Sequence, residues 1–112
     1  MTDIASSVVE IDTQALKNLI DSEESLVLID VRTEQEHKRG HLLKSINLPI
    51  DQLEKEISSK VFDKDAKVIL YCLSGSRSTK ACRILQNMGY IDVSHLTNGL
   101  LAWRVKQFPI EL

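Results

Sequence analysis

One stretch constrains this chain more than any other. It runs from an apolar segment, Val68-Ile69-Leu70-Tyr71, through a small polar turn that opens with Cys72, into a helical pattern that begins at Ala81. The apolar segment holds β-branched and aromatic residues, the composition of a buried strand. Beyond the turn, Ala81, Ile84, Leu85 and Met88 recur three or four residues apart, and Gly89 stands where a helix C-terminal cap belongs. A strand that feeds a helix through so short a turn aims its backbone N–H groups into one small space. The positive end of the helix dipole faces the same space.

A thiol in that space has its anion stabilised by those donors, so the pKa of Cys72 is expected to fall below that of a free cysteine. The thiolate is the nucleophilic form, and the same cradle suits the oxygens of an anionic substrate. Arg77 adds a permanent charge with a planar donor fork matched to oxyanions. Cys72 is therefore the candidate nucleophile, set against the plainer reading of a buried structural cysteine at a strand end. Leu73, Ser74, Gly75, Ser76, Arg77 and Ser78 form the candidate substrate-binding loop. Gly75 permits the backbone turn, and the small side chains leave the N–H groups open. Ser78 is placed to cap the helix or to donate its hydroxyl to the thiolate.

The rest of the chain alternates strands and helices. Val8-Val9-Glu10-Ile11 reads as a first strand, followed by a helix capped at Asp12 or Thr13 and running through Ile20. Leu26-Val27-Leu28-Ile29 is continuously apolar, the mark of a strand covered on both faces, and it ends at Asp30. Residues 33–38 read as a short helical turn stopped at Gly40, and residues 45–48 as a short strand ended by Pro49. Ile50, Leu53, Ile57 and Val61 space a helix. Residues 93–96 make a last strand, and a final helix runs from Leu100 to about Lys106, with Pro109 barring its extension. This alternation predicts an α/β architecture with a parallel sheet and right-handed crossovers. Ligands bind beyond the carboxyl ends of such strands, so Cys72 and Asp30 are expected to share the functional edge.

The chain's 112 residues leave room for one domain, read as residues 1–112 with its motifs in about 8–107. A charged fraction of 27% with a net charge of −2 offers no basic surface for nucleic acid or anionic membrane. No apolar run approaches the roughly 20 residues of a membrane span. Met1-Thr2-Asp3-Ile4-Ala5 lacks the basic and apolar regions of a signal peptide, which predicts a cytoplasmic protein. Cys72 and Cys82 are too few and too far apart for a zinc knuckle or a Cys-x-x-Cys pair, and a reducing compartment suits them. Cys82 shares a helical stripe with Ser78, Ala81 and Leu85 and is expected to pack; its alternative is a resolving thiol for an oxidised Cys72. The three histidines are too scattered for a metal site, and His37 and His95 read as surface residues.

Cys72-Leu73-Ser74-Gly75-Ser76-Arg77-Ser78 resembles the Cys-x-x-Gly-x-Arg-Ser/Thr active-site loop of the rhodanese family of sulfurtransferases. Asp30-Val31-Arg32, Glu36, Gly40-His41-Leu42 and Asn47-Leu48-Pro49 resemble its upstream signature, and Asn98-Gly99-Leu100-Leu101-Ala102-Trp103 its closing Gly-Gly-x-x-x-Trp. The three motifs span most of the chain. The resemblance implies a three-layer α/β/α fold with a five-stranded, mostly parallel sheet and helices on both faces. It also implies sulfur transfer through a Cys72 persulfide, from a small anionic donor such as thiosulfate to a thiol or cyanide, with no cofactor and no metal. Departures from the pattern are Leu73 where a second basic residue is frequent, Lys44-Ser45 for Gly-Ala, Asn98-Gly99 for Gly-Gly, and His37 for an aromatic.

Asp30 and Arg32, with Glu36 one helical turn on, read as a salt-bridged brace rather than as shapers of the field at Cys72. His41 is expected to bond a loop carbonyl, because a thiolate already lowered by its loop needs no base. Trp103 is assigned to packing. Two other chemistries use a Cys-to-Arg loop. A cysteine phosphatase or arsenate reductase places five residues between the two, where this chain has four, giving a smaller ring with fewer donors. A binding or sulfur-relay module would take its sulfur from a cysteine desulfurase and pass it to an acceptor protein.

Overall fold

The computed structural model describes residues 8–112; the stretch Met1-Thr2-Asp3-Ile4-Ala5, read above for a leader, lies outside them. In chain order the elements are β1 (Val9–Ile11), α1 (Thr13–Asp21), β2 (Val27–Asp30), α2 (Glu34–Lys38), β3 (Ile46–Asn47), α3 (Ile50–Lys60), β4 (Lys67–Tyr71), α4 (Ser76–Asn87), β5 (Asp92–Leu96) and α5 (Gly99–Val105). The five strands form one sheet in the order β1-β5-β4-β2-β3, and every pair is parallel. Parallel neighbours need crossovers, and the helices that supply them cover both faces.

Side-chain alternation divides β4 between two cores. Val68 and Leu70 join Leu53 and Ile57 of α3 and Ala81, Cys82 and Leu85 of α4 on one face. Ile69 and Tyr71 join Leu16 of α1 and Leu100 and Trp103 of α5 on the other. The result is the three-layer α/β/α arrangement expected from the motifs. Trp103 is buried, as assigned, and its indole N–H donates to the Pro109 carbonyl at 3.0 Å. Tyr71 carries its hydroxyl into the same layer, where it accepts from the Leu42 amide at 3.0 Å and bonds Ser45 Oγ at 3.0 Å. Burial raises the pKa of that phenol well above its usual value.

Local chemistry sets the element ends. The Asp12 carboxylate accepts from the Ala15 amide at 2.8 Å and caps α1. Thr33 and Glu36 form a reciprocal capping box on α2. Lys44 and Asn98, which replace usual glycines, both take left-handed backbone, with φ +67° and +61°. The largest departure from expectation lies at α4. The apolar spacing places helix from Ala81, but α4 begins at Ser76. Its first turn is polar because its N–H groups serve the preceding loop rather than a core, so periodicity does not register it. Arg77 therefore stands on the helix, as does Ser78, which the stripe shared with Cys82 already placed there. Among the described residues no helix is long and apolar enough to cross a membrane.

Candidate active site

Cys72 follows the last residue of β4, at the carboxyl edge of the sheet, and its side chain is 0% exposed. The chain turns back over it within three residues. Gly75, with φ +111°, takes the left-handed conformation that allows this and serves as the N-cap of α4. The turn brings the Gly75 amide to 3.1 Å and the Ser78 amide to 3.4 Å from Sγ, with Ser78 Oγ at 3.6 Å. Burial pushes the thiol pKa up. The Ser78 hydroxyl and the amides of Ser78, Gly75 and Ser74 push it down, and the net shift is downward. Of the residues read as the binding loop, Leu73, 37% exposed, Ser74 and Ser76 face outward.

The amino end of α5 holds the loop in place. Leu100 and Leu101 donate their amides to the carbonyls of Cys72, at 2.9 Å, and Leu73, at 3.1 Å. Gly99, at φ +56°, lies so near that a Cβ there would stand 2.4 Å from the Cys72 oxygen and 2.6 Å from the Leu73 oxygen. The closing motif thus clamps the loop backbone.

Arg77, in the first turn of α4, is the cation of the Cys72–Arg77 stretch, and its fork is already occupied. Its Nη1 and Nη2 donate to the two Glu36 oxygens at 2.8 and 3.1 Å. The capping box fixes that carboxylate, since Glu36 Oε1 also accepts from the Thr33 amide at 2.9 Å. The Arg77 hydrogen bonds hold the Glu36 pKa down at about 2. Glu36 therefore pairs across 41 residues of sequence and not locally with Arg32.

Asp30 and Arg32 do form the expected brace. Asp30 is fully buried and accepts from the Arg32 amide at 3.0 Å, Arg32 Nε at 3.0 Å and Arg32 Nη2 at 2.8 Å. Arg32 Nη2 also donates to the Gly40 carbonyl at 2.7 Å, which ties the exit of β2 to the end of α2. His41 Nδ1 bonds a carbonyl, but that of His37 within α2 rather than of a loop, at 2.7 Å, and its backbone pairs with Glu111 at 2.8 and 2.7 Å. The brace residues and His41 are thus joined to one another and to α2, and their recorded bonds do not reach Cys72.

Two readings change. His37 is not a free surface residue: its Nδ1 lies 2.8 Å from Asp30 Oδ2 and its ring stacks on His41 at 3.7 Å. His95 is only 3% exposed, with Nδ1 at 2.7 Å from Ser78 Oγ. It occupies an inward position of β5, in phase with Val93, where both faces of the sheet are covered and a polar side chain must find a partner. That alternation was the available sequence signal. Cys82 is buried as expected, and burial pushes its thiol up to about 12. A cleft of about 400 Å³ lies at the opposite edge of the sheet between Glu24, Leu26, Leu43 and Lys44, away from the thiol.

The site is thus a buried cysteine at the carboxyl edge of a parallel α/β sheet, its pKa held down by the hydroxyl and amides around it. Residues 12–106 match the rhodanese-like domain family, and the chain belongs to it. A sulfurtransferase of Allochromatium vinosum is 35% identical over 101 residues, covering 90% of this chain and 92% of the relative. A tRNA uridine(34) hydroxylase of an Enterobacter species is 31% identical over 103 residues, with 88% of this chain matching 30% of that longer protein. The solution structure of a rhodanese-like domain from an Anabaena protein superposes with a TM-score of 0.84 at 25% identity, covering 94% of this chain and 80% of that one.

Proposed function

We propose that this rhodanese-family chain is a sulfurtransferase that carries sulfane sulfur as a persulfide on Cys72. The observation that carries this reading is the convergence of the Gly75 and Ser78 amides and the Ser78 hydroxyl on one buried sulfur. In the first half-reaction the Cys72 thiolate attacks the outer sulfur of a thiosulfate-like donor. The donor's S–S bond breaks, and sulfite leaves with the electron pair. In the second, an acceptor thiolate or cyanide attacks the terminal sulfur of the persulfide and Cys72 departs as thiolate. Both steps are displacements at sulfur, in which a lowered thiol pKa raises the thiolate fraction and improves the leaving group. The same donors steady the sulfur anion in both halves, and two half-reactions predict ping-pong kinetics.

The four-residue interval between Cys72 and Arg77 supports sulfur over phosphate or arsenate, since the smaller ring offers fewer donors to a tetrahedral oxyanion. A second reading, a sulfur relay between proteins, draws support from the Glu36–Arg77 pair. With its one loop cation engaged and Leu73 where a second would stand, the site has a weak hold on a free dianion. A cysteine desulfurase would then supply the sulfur, and an acceptor protein in a reducing compartment would take it.

The test is the intact mass of the wild-type chain and of Cys72→Ser after thiosulfate without reductant, and again after cyanide. Gain of one sulfur by the wild type alone, erased by cyanide with release of thiocyanate, is the expected result. A gain in Cys72→Ser would refute the assignment, whereas no gain in either would direct the assay to a desulfurase donor.

A further inference from the structure

Behind Ser78, whose hydroxyl meets Cys72, lie side chains that the transfer mechanism does not use. Cys72 Sγ stands 3.6 Å from Ser78 Oγ, and that oxygen stands 2.7 Å from Nδ1 of the buried His95. On the far side of the ring, Nε2 lies 3.4 Å from Thr79 Oγ1 and 3.7 Å from Glu10 Oε2. The sheet builds this line. His95 of β5 pairs in register with Glu10 of β1 on one side and with Leu70 of β4 on the other. Cys72 lies two residues beyond Leu70 and on its face, and the first turn of α4 lays Ser78 and Thr79 across the gap.

We propose that His95 is a positioning residue that sets the protonation state of Cys72 through Ser78, with Glu10 steadying the charged ring. The hydrogen-bond directions follow from the partners. The Glu10 carboxylate favours the ring proton on Nε2, which leaves Nδ1 as an acceptor. Ser78 Oγ also lies 3.2 Å from the Gly75 carbonyl, but its one proton goes to the nearer Nδ1 at 2.7 Å, and its oxygen accepts from the Cys72 S–H. Ionisation moves two protons in concert. The Sγ–H bond breaks as the proton passes to Ser78 Oγ, and Ser78's own proton passes to Nδ1. Thiolate and imidazolium are left, with Ser78 donating to the sulfur and accepting from the ring. No proton leaves for solvent, and no other reactant is needed.

Burial lowers the His95 pKa while Glu10 works to raise it, and the net shift is downward, so the ring rests neutral near pH 7 and is able to accept a proton. The groups facing the relay are Glu10 from β1 on the ring side, and Arg77 from α4 on the sulfur side with Glu36 behind it. Leu70 of β4 flanks the ring with an apolar side chain. The proposal rests on Cys72 being the nucleophile, but its readout needs no sulfur donor. Failure of the relay and failure of sulfur transfer are therefore separable.

The experiment titrates the ultraviolet thiolate absorbance, taken as the difference from Cys72→Ser, in the wild type, His95→Asn, Ser78→Ala and the double variant. Asparagine keeps a hydrogen-bond acceptor near the place of Nδ1 but has no site to store a proton. The expected result is a thiolate midpoint higher by about one pH unit in each single variant, the scale of one lost charge-assisted hydrogen bond. The double variant should rise no further than either single one, because the two residues act in series. A wild-type midpoint in His95→Asn, or additive shifts in the double variant, would overturn the proposal even if thermal stability had fallen. Where His95→Asn does not fold, ring titration of His95 by nuclear magnetic resonance in the wild type and Cys72→Ser decides. Loss of the thiolate partner should lower the His95 midpoint, and identical titrations would refute the coupling.

Discussion

Replacing Gly99 with alanine tests whether the amino end of α5 holds the thiol loop. An alanine at φ +56° costs about 1–2 kcal/mol of backbone strain. Its Cβ would also stand 2.4 Å from the Cys72 oxygen and 2.6 Å from the Leu73 oxygen. Both are backbone atoms, so loop and helix must part. The parting breaks the Leu100 amide bond to Cys72 at 2.9 Å and the Leu101 amide bond to Leu73 at 3.1 Å, about 1 kcal/mol each. Gly89→Ala is the internal control. Its φ of +98° lies outside the left-handed region open to alanine, so its strain is no smaller, and nothing lies within 4 Å of the new Cβ. Urea unfolding should therefore place Gly99→Ala about 2 kcal/mol below Gly89→Ala, a difference in Tm of about 8 °C at ~4 °C per kcal/mol. The thiolate midpoint of Cys72 should rise in Gly99→Ala alone, because the displaced loop carries the Gly75 and Ser78 amides away from the sulfur. Equal stabilities for the two variants, with an unchanged thiol, would refute the clamp.

The Glu36–Arg77 pair makes a pH prediction with a definite sign. The folded-state pKa of Glu36 is depressed from 4.5 to about 2, so its stabilisation is complete above pH 4.5 and is lost as pH falls toward 2. The pair is about one-third exposed, so solvent screening limits the effect to about 1 kcal/mol, read as the difference in acid unfolding between wild type and Glu36→Gln. Glu36→Gln should also lower KM for thiosulfate several-fold by releasing Arg77; an unchanged KM would mean that Arg77 does not meet the donor. Tyr71→Phe should cost about 1–3 kcal/mol in urea unfolding, because it strands the buried Leu42 amide, and a neutral result would refute that bond. Both thiols are buried, but only Cys72 has donors that offset burial, whereas burial holds Cys82 at about 12, so brief alkylation of the native protein should give one adduct, on Cys72; a second adduct forming at a similar rate would contradict it.

The order of strands and helices was legible because each element carries its own signal. Residues 26–29 and 68–71 are continuously apolar because both faces of the sheet are covered, and α1 and α3 show the spacing of helices with one buried side. The nucleophile was legible for a similar reason: a strand end, a glycine turn and a helix start are consecutive in sequence, so the chemistry of Cys72 is nearly local. Its closest N–H donors, Gly75 and Ser78, lie three and six residues away. The start of α4 was only partly legible: Ser78 shares the stripe of Cys82, but Ser76 and Arg77 ahead of it are polar and carry no apolar period.

What the tertiary structure alone decided is which distant residues meet that local site. Glu36 reads as a member of a short charged helix, and only the tertiary fold brings it within 2.8 Å of Arg77. Gly99 reads as part of a turn, and only the approach of α5 shows that a side chain there would strike the carbonyls of Cys72 and Leu73. His95 reads as a surface histidine on a late strand, and the register of β5 between β1 and β4 buries it against Ser78. Periodicity reports which face of an element is covered. It carries no information about which residue covers it, because strand order and register are settled by the cooperative packing of the whole sheet.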